Sequence, residues 1–281
     1  MIQDQTSGLA RVYVRSPVAE DLSSWREYGW HAEPDPARAA DEHAAFREEL
    51  ERAGAEVVVG TTAVSGDPDA IYAYDPTLPT DAGVILLRPG KEGRRNEPDA
   101  LGIDLAAAGL PIAGRLEPPE CAEGGDMLWL DDTTLLVGRG YRTNDAGIRR
   151  IRSLLGPDVE LVVFDLPHHH GPDECLHLMS FISLLDVDLA TVFLPLLPVR
   201  LAELLRGRGI ELVEVPEDEF DSMGSNVLAL GPRIALALEG NPQTRRRMEI
   251  AGVDVRIYRG DEISRKGDGG PTCLSRPLSR R

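Results

Sequence analysis

Apolar residues recur along the chain with two spacings, one typical of strands and one typical of helices. Short β-branched or leucine-rich runs predict strands at "RVYVRSP", "AEVVVG", "VELVVFDLP", "DLATVFLPL", "IELVEVP" and "VDVRIYRG". Apolar positions at helical spacing predict helices at "DPARAADEHAAFREELERAG", "PDALGIDLAAAG", "NDAGIRRIRSLLG", "PVRLAELLRGRG" and "PQTRRRMEIAG". The first of these helices is expected to end at Gly54. Because the two kinds of segment alternate, the pattern indicates an α/β fold.

Hairpins are predicted between the helices as well. Two apolar runs meet at Asp131-Asp132 in "DMLWLDDTTLLVGRG" and at Gly231-Pro232 in "NVLALGPRIALALEG". A third pair of strands flanks a turn containing Pro79, Asp81 and Gly83. A purely doubly wound sheet would contain far fewer hairpins. Since no Pro-, Gly- or Ser-rich linker divides the chain, we expect a single domain over residues 1–281, built from several compact units.

Composition excludes several classes of protein. The formal net charge is −17, whereas a nucleic-acid-binding surface needs clustered Lys and Arg. The three cysteines show no CxxC spacing, which suits a reducing compartment. The start "MIQDQTSGLA" is too polar for a signal peptide, and prolines break the longest apolar stretch. We therefore expect a cytoplasmic protein with no nucleic-acid or membrane partner, as a monomer or a homodimer.

A nucleophile, a histidine, carboxylates and arginines are spread along the sequence. Cys273 lies near the C-terminus, His177 lies in "CLHLMSF", and Glu123 begins "EGGD". Asp75 adds a carboxylate, and Arg142 adds a cation that could hold an anionic group. Taken singly, Glu123 could belong to an acidic turn, His177 could be a hydrogen-bonded core histidine, and Arg142 could lie in a solvated loop. Together they suit nucleophilic attack on a carbon that is electrophilic and cationic.

Three consecutive histidines, His168, His169 and His170, raise a metal-dependent alternative. A zinc site needs three or four ligands of fixed geometry, and Cys175 could join them. Consecutive side chains point in different directions, so a solvated loop is the preferred interpretation, and no metal is predicted.

Six segments in order resemble the guanidino-group modifying superfamily, also called the amidinotransferase or pentein superfamily. They are "DAIYAYDP", "LLRPGKEGRRNE", "EGGDMLWLDDTTLLVGRGYRTN", "LHLMSF", "NVLALG" and "DGGPTCLS". The resemblance covers residues 69 to 275 and is closest to the dimethylarginine dimethylaminohydrolases. It implies a five-bladed α/β propeller of ββαβ-type units around a central active site. It also implies catalysis without a metal or organic cofactor.

The resemblance assigns roles to individual residues. Cys273 matches the nucleophile, His177 the general acid and base, and Glu123 the acidic residue that orients the histidine. The substrate-binding positions that it implies are Asp69, Tyr72, Asp75, Arg94, Arg142 and Asp268. Among these, Asp69 and Asp75 would face the guanidinium, and the two arginines would bind the substrate's α-carboxylate. Gly269 and Gly270 are expected to let the chain turn tightly before the nucleophile. The basic tail beyond Ser275 is expected to form a closing strand and to be solvated.

The implied reaction is hydrolysis at the guanidino carbon of an arginine derivative. An N(omega)-methylated arginine would give L-citrulline plus methylamine or dimethylamine through a covalent S-alkylthiouronium intermediate. Met179 departs from the deiminase pattern, and Tyr74 departs from the dimethylaminohydrolase pattern, so both are candidates for specificity. Arginine deiminase or dihydrolase chemistry and amidino transfer remain alternatives, as does an inactive pentein-like binding protein.

Overall fold

The computed structural model describes residues 4–172 and 176–281. Its strands are β1 (Leu9–Val14), β2 (Glu56–Val59), β3 (Thr77–Thr80), β4 (Gly83–Leu86), β5 (Ile112–Arg115), β6 (Met127–Trp129), β7 (Thr134–Arg139), β8 (Glu160–Asp165), β9 (Ile182–Asp186), β10 (Leu189–Val192), β11 (Glu211–Glu214), β12 (Val227–Gly231), β13 (Ile234–Leu238), β14 (Asp254–Tyr258) and β15 (Arg276–Arg280). Its α-helices are α1 (Ala19–Leu22), α2 (Pro36–Arg52), α3 (Glu97–Ala107), α4 (Asp145–Leu155), α5 (Val199–Gly207) and α6 (Pro242–Ile250).

One supersecondary unit is repeated five times in the described residues. Two antiparallel strands form a hairpin, a helix follows, and a third strand returns parallel to the second. The unit β3-β4-α3-β5 shows the pattern, with β3 antiparallel and β5 parallel to β4. The units that begin at β6, β9 and β12 repeat it. The fold is therefore the five-bladed propeller of ββαβ units that the family resemblance implies.

The fifth blade joins the two ends of the described chain. β15 pairs antiparallel with β1, and β2 returns parallel to β1 after α2. The sequence interpretation treated the basic tail after Ser275 as a closing strand with a solvated surface. The strand is present, but Arg276 and Arg280 are buried, at 3% and 6% exposure. Solvation of the tail was therefore the wrong expectation for these two arginines.

Burial decreases from the first strand of each blade to the third. All five residues of β12 are buried, whereas β5 has none that is buried. Neighbouring blades contact each other through their first strands, with β9 against β12 and β3 against β15. The first strands therefore surround the centre of the ring, and the third strands lie at its edge.

Apolar side chains fill the space between each helix and its sheet. In the third blade, Leu201 and Leu205 of α5 pack with Ala190 and Val192 of β10. Burial of one such leucine contributes roughly 1.5–3 kcal/mol. At the start of α4, the side chain of Asn144 accepts a hydrogen bond from the backbone N–H of Gly147 and caps the helix.

Sequence periodicity missed two strands, β5 and β9. The run "FISLLDVDLATV" holds a hairpin whose turn includes Val187 between Asp186 and Asp188, but only its second strand was predicted. Pro79 lies within β3 rather than in the predicted turn. Among the described residues, no helix combines the length and apolarity needed to cross a bilayer.

Candidate active site

A cavity of about 880 Å³ lies at one end of the propeller and is lined by loops between the elements. The loop before β3 contributes Asp69, Tyr72 and Asp75, and the segment after β4 contributes Lys91 and Arg94. Arg142 follows β7, His177 precedes β9, and Cys273 precedes β15. Eight of the nine site residues predicted from the sequence therefore line one cavity, and Glu123 lies directly behind it. These eight are Asp69, Tyr72, Asp75, Arg94, Arg142, His177, Asp268 and Cys273.

His177 and Glu123 form a short, buried pair. His177 Nε2 lies 2.5 Å from Glu123 Oε2, and the glutamate is fully buried. The other ring nitrogen, Nδ1, lies 4.0 Å from Asp75 Oδ1. A Cβ at Gly125 would lie 2.5 Å from His177 Nδ1, so a glycine is required for the ring to approach this closely. The second residue of the "GGD" turn therefore admits the histidine.

Local hydrogen bonds fix the backbone at His177. Its N–H donates to Ser180 Oγ over 2.9 Å, and the next N–H, of Leu178, donates to Asp126 Oδ1 over 3.0 Å. Burial raises the pKa of Asp126 to about 6, while the charge of His177 acts in the opposite direction. Asp126, the final residue of "EGGD", thus holds the backbone next to His177 and is not among the residues that line the cavity.

Glu123 is held as a carboxylate. Burial alone would raise its pKa, but the hydrogen bond from His177 and the charge of Arg142 hold that pKa well below its ordinary value. Arg142 Nη1 lies 3.1 and 3.2 Å from the two carboxylate oxygens. The N–H of Gly90 donates to Oε1 over 2.9 Å. The charged glutamate can therefore orient an imidazole and stabilise its protonated form.

Asp75 belongs to a second buried ion cluster. Its Oδ2 accepts from Arg94 Nη1 over 2.6 Å, and its Oδ1 accepts from the N–H of Gly125 over 2.9 Å. Arg94 also donates to both oxygens of Glu97, at 2.5 and 2.9 Å, and to the carbonyl of Tyr72. Burial raises the pKa of Glu97 well above its ordinary value, although the nearby charge of Arg94 acts in the opposite direction. Glu97 was missed in the sequence, although "RRNE" places it three residues after Arg94.

Asp69 accepts hydrogen bonds from two side chains to which the sequence assigned no role in the site. Trp30 Nε1 donates to its Oδ1 over 2.8 Å, and Lys91 Nζ lies 2.6 Å from its Oδ2. Tyr72 is buried beside it and donates to the carbonyl of Ile263 over 3.1 Å. Burial and the charge of Asp69 raise the pKa of Tyr72 well above its ordinary value. Tyr72 is therefore a neutral wall of the cavity.

The nucleophile candidate is partly buried and hydrogen-bonded. Asn226 Nδ2 donates to Cys273 Sγ over 3.2 Å, and the N–H of Tyr74 donates to the carbonyl of Cys273 over 3.2 Å. Asn226 Oδ1 accepts in turn from the N–H of Thr272 over 3.1 Å. Asn226 opens the "NVLALG" segment, but the sequence gave no reason to single it out, because its partner is 47 residues away.

The turn before Cys273 forms in a different way from the one predicted, in which Gly269 and Gly270 supply the conformational freedom. The left-handed residue is Asp268, with φ of 59°, and neither Gly269 nor Gly270 has a positive φ. The glycines are needed for close packing, since a Cβ would lie 2.0 Å from Tyr72 Cε1 at Gly269 and 2.5 Å from Asn226 Cγ at Gly270. Asp268 is half exposed at the cavity, and its Oδ2 lies 2.6 Å from His31 Nε2.

The three consecutive histidines do not form the group with metal-ligand spacing. Within residues 4–172 and 176–281, the side chains close enough to share an ion are Asp75, Glu123 and His177, whose ligand atoms lie within 4.8 Å of one another. His169 and His170 line the cavity, whereas His168 Nδ1 contacts the hydroxyl of Tyr141 over 2.7 Å. Cys175, the suggested fourth ligand, lies outside the described residues.

The two positions expected to set specificity face away from the cavity. Tyr74 is buried under Arg276, whose guanidinium lies 3.5 Å from the centre of the ring. Met179 is buried in the apolar cluster of the third blade. Tyr74 and Asp75 lie in the turn before β3, and Asp75 lines this cavity whereas Tyr74 lines a separate, smaller one beside Arg276. Ser180, next to Met179, lines the cavity instead.

Comparison with known proteins agrees with this architecture. The sequence model of the family described as "N,N dimethylarginine dimethylhydrolase, eukaryotic" matches residues 22–275. N(G),N(G)-dimethylarginine dimethylaminohydrolase of Pseudomonas aeruginosa is 27% identical over 252 residues, which cover 86% of this chain and 89% of that protein. Arginine deiminase of Mycobacterium marinum is 30% identical over 189 residues. The match covers 56% of this chain and 46% of the deiminase, so the chain spans about half the length of that relative.

Solved structures establish the same fold. The dimethylarginine dimethylaminohydrolase of Pseudomonas aeruginosa, solved with citrulline, superposes with a TM-score of 0.78 at 23% identity and covers 96% of this chain and 99% of that chain. The N-terminal domain of ArgZ, an arginine dihydrolase from cyanobacteria, superposes with a TM-score of 0.80 at 19% identity, covering 96% and 97%. Since the family match spans most of the sequence, this chain belongs to the dimethylarginine dimethylaminohydrolase family of the pentein superfamily.

Proposed function

We propose that the protein is a cysteine-dependent hydrolase of the guanidino carbon of L-arginine derivatives, with N(omega)-methylated arginine as substrate. The products are L-citrulline and methylamine or dimethylamine. The observation that carries the proposal is a single cavity lined by Cys273, His177 and Asp75, with the charged Glu123 hydrogen-bonded to His177. Family membership supports the same reaction class.

In the first half-reaction, the sulfur of Cys273 attacks the guanidino carbon. Only the thiolate is a good nucleophile, and a bound guanidinium next to it favours that form. Asn226 donates a hydrogen bond to the sulfur and aims it. Asp75 and Asp69 accept N–H groups of the guanidinium and fix its plane. Attack forms a C–S bond and gives a tetrahedral adduct.

Collapse of the adduct breaks the C–N bond to the alkylamine. The departing nitrogen takes a proton from His177, and an S-alkylthiouronium stays on Cys273. The charged Glu123 stabilises the protonated imidazole until the transfer occurs. Such general acid catalysis typically contributes ~10²–10⁴-fold.

In the second half-reaction, His177 removes a proton from a water molecule, which attacks the same carbon. The C–S bond breaks, the sulfur leaves as the thiolate, the remaining hydroxyl proton passes to solvent, and the ureido group of citrulline is released. One histidine therefore serves as acid and then as base. No step needs electrons from outside or a cofactor.

Arg142 and Arg94 are proposed to lie at the α-carboxylate end of the substrate. The contacts favour Arg142 for direct binding. Arg94 already donates through Nε, Nη1 and Nη2 to Glu97, Asp75 and the Tyr72 carbonyl. Its contribution is then to hold Asp75 in place. Asp268, at the rim with His31, is proposed to contact the amino-acid end of the substrate.

Arginine deiminase or dihydrolase activity is the second candidate. The likeness to arginine deiminase of Mycobacterium marinum supports it, and the chemistry differs only in the leaving nitrogen. The deciding experiment incubates the protein with asymmetric dimethyl-, monomethyl-, hydroxy- and unmodified arginine and detects citrulline and amine by mass. We expect methylated arginine to have the highest kcat/KM. A higher value for unmodified arginine would replace the first candidate with the second.

Cys273→Ser tests the nucleophile, and Cys121→Ser is the matched control. We expect the first change to abolish citrulline formation and the second to leave most of it, because Cys121 contacts Arg88 outside the cavity. Undiminished activity of the Cys273 variant would refute the mechanism. Product analysis with glycine or ornithine as acceptor would reveal amidino transfer. Failure of a halo-amidine to label Cys273 in an inactive wild type would favour a binding protein.

A further inference from the structure

Two buried arginines lie at a second, smaller cavity, apart from the active-site cavity. This cavity has a volume of about 40 Å³ and is lined by residues of β15 and of the segments around it. Arg276 and Arg280 line it with Trp129, Tyr74 and Asp4. Neither arginine has an ion-pair partner within 4.0 Å among the described residues. Two guanidinium charges in a protein interior therefore have no direct counter-charge, which is costly unless something compensates them.

The hydrogen-bonding capacity of these arginines is only partly used. Arg276 Nη2 donates to the carbonyls of Tyr74 and Thr77. Arg280 Nη1 donates to the carbonyls of Ser7 and Ala229, at 2.6 and 3.0 Å. Every acceptor is a neutral carbonyl, so these bonds satisfy donors without neutralising charge.

Further donors at this cavity have no acceptor in the described part of the chain. They are Arg276 Nε, Arg280 Nε and Nη2, and Trp129 Nε1. All are N–H donors on side chains that are more than nine-tenths buried. An unmatched donor of this kind costs about 1–3 kcal/mol, and a charged one costs more. A concentration of donors without acceptors is what an anion site requires.

The charges around the cavity also favour an anion. Arg276 and Arg280 contribute two positive charges, and Asp4 contributes one negative charge. Asp4 Oδ1 is used by the N–H groups of Thr6 and Ser7, at 2.7 and 2.6 Å. One monovalent anion would bring the local charge to zero. Burial lowers the pKa of Arg280 to about 10, because the charge of Asp4, which acts in the opposite direction, only partly offsets it.

Size and charge limit the kind of anion. One water needs at least about 10–15 Å³ measured with a water-sized probe, so about 40 Å³ has room for a small anion, and one negative charge with Asp4 balances the two arginines. We propose that Arg276, Arg280 and Trp129 form a binding site for one halide ion, physiologically chloride. The site lies close to the active site, because Gly124, which follows Glu123, packs against Arg276 Nη2 and the Tyr74 carbonyl. This proposal is independent of the proposed hydrolase activity.

Thermal unfolding of the full chain tests the site. The melting temperature is measured at constant ionic strength while sodium gluconate is replaced by sodium chloride or bromide. We expect Tm to rise with halide concentration and to saturate, because a ligand that binds only the folded state stabilises it. Sodium phosphate at the same ionic strength should give no such rise. An equal Tm in chloride and gluconate would refute the site, and an equal rise in phosphate would refute its selectivity for a halide ion.

Two variants locate the effect. Trp129→Phe keeps the ring and removes one donor, so the halide dissociation constant should weaken by about five- to tenfold. Arg281→Gln changes an exposed arginine next to the site and should leave the halide response unchanged. If the Arg281 variant loses the response and the Trp129 variant keeps it, the halide binds at the surface and the proposal is wrong. Anomalous diffraction from bromide-soaked crystals should give a peak between Arg276, Arg280 and Trp129, and its absence at saturating bromide would also overturn the site.

Discussion

The pair of Glu123 and His177 can be tested by removing one charge without changing shape. Glu123→Gln keeps the volume and one carbonyl oxygen, which can still accept from the N–H of Gly90. It removes the negative charge that lies 2.5 Å from His177 Nε2. It also leaves Arg142 with a neutral neighbour in place of its carboxylate. The protonated imidazole that the mechanism requires then loses its stabilising partner.

The size of the effect follows from the kind of hydrogen bond that is lost. A hydrogen bond to a charged group contributes about 1.5–3 kcal/mol. At about 1.36 kcal/mol per tenfold change in rate, kcat should fall by roughly tenfold to 150-fold. If the new amide N–H donates to His177 and imposes the wrong tautomer, the fall approaches about 10⁴-fold, as in serine-protease triads. KM should change by less than about threefold, because Glu123 lies behind the cavity.

The assay measures citrulline formation across pH, normalised to the concentration of Cys273 that a halo-amidine can label. Glu117→Gln is the control, since Glu117 is an exposed carboxylate on the same segment. Melting temperatures are measured in parallel, so that a loss of folded protein is not counted as a loss of catalysis. A fall in kcat below about threefold in folded, fully labelled Glu123→Gln would refute the role of the glutamate.

Three further changes test the surrounding structure. Asn226→Ala should slow alkylation of Cys273 by iodoacetamide and lower kcat, each by about fivefold, because one neutral hydrogen bond to the sulfur is lost; unchanged alkylation would contradict this. Lys91→Met should lower KM for a methylated arginine by about two- to fivefold, since the partly exposed ammonium competes with the substrate for Asp69, and a raised KM would instead indicate that Lys91 binds substrate. His43 has a pKa lowered from 6.5 to about 4 by burial. The unfolded chain therefore takes up a proton more readily than the folded one, so the free energy of unfolding falls by about 3 kcal/mol in total between pH 6.5 and 4. His43→Leu should flatten this part of the plot of unfolding free energy against pH, measured by urea titration, and an unchanged slope would contradict the prediction.

The fold was predictable because its local patterns are strong. The hairpin turn at Asp131-Asp132 and the capped helix Asp145–Leu155 are each specified by residues that are close in sequence. The strands that were missed, β5 and β9, are short or lie in a continuously apolar region where periodicity is weak. The number of blades came from the resemblance alone. Closure of the ring depends on β15 pairing with β1, which no local pattern reveals.

The candidate site was predictable for residues that carry chemistry and not for those that hold them. Cys273, His177 and Asp75 were found through their motifs, and they line one cavity. Asn226 was not, because only the fold brings it near Cys273, and Glu97 was missed although its partner Arg94 is three residues away. Tyr74 was wrongly placed in the site for the opposite reason: it adjoins Asp75 in sequence but faces Arg276.

The segment from Gly90 to Arg94 explains how loops can hold three carboxylates in fixed positions. Arg94 pairs with Asp75, Lys91 pairs with Asp69, and the N–H of Gly90 donates to Glu123. A Cβ at Gly90 would lie 2.9 Å from the Cα of Arg142, so the segment also packs closely against the residue that pairs with Glu123. Loops that lack regular structure are usually mobile, and a catalytic group must be positioned to within a fraction of an ångström. Here one short segment contacts all three acids and contributes no reacting atom, so two ion pairs and one backbone hydrogen bond from this segment hold the carboxylates in place.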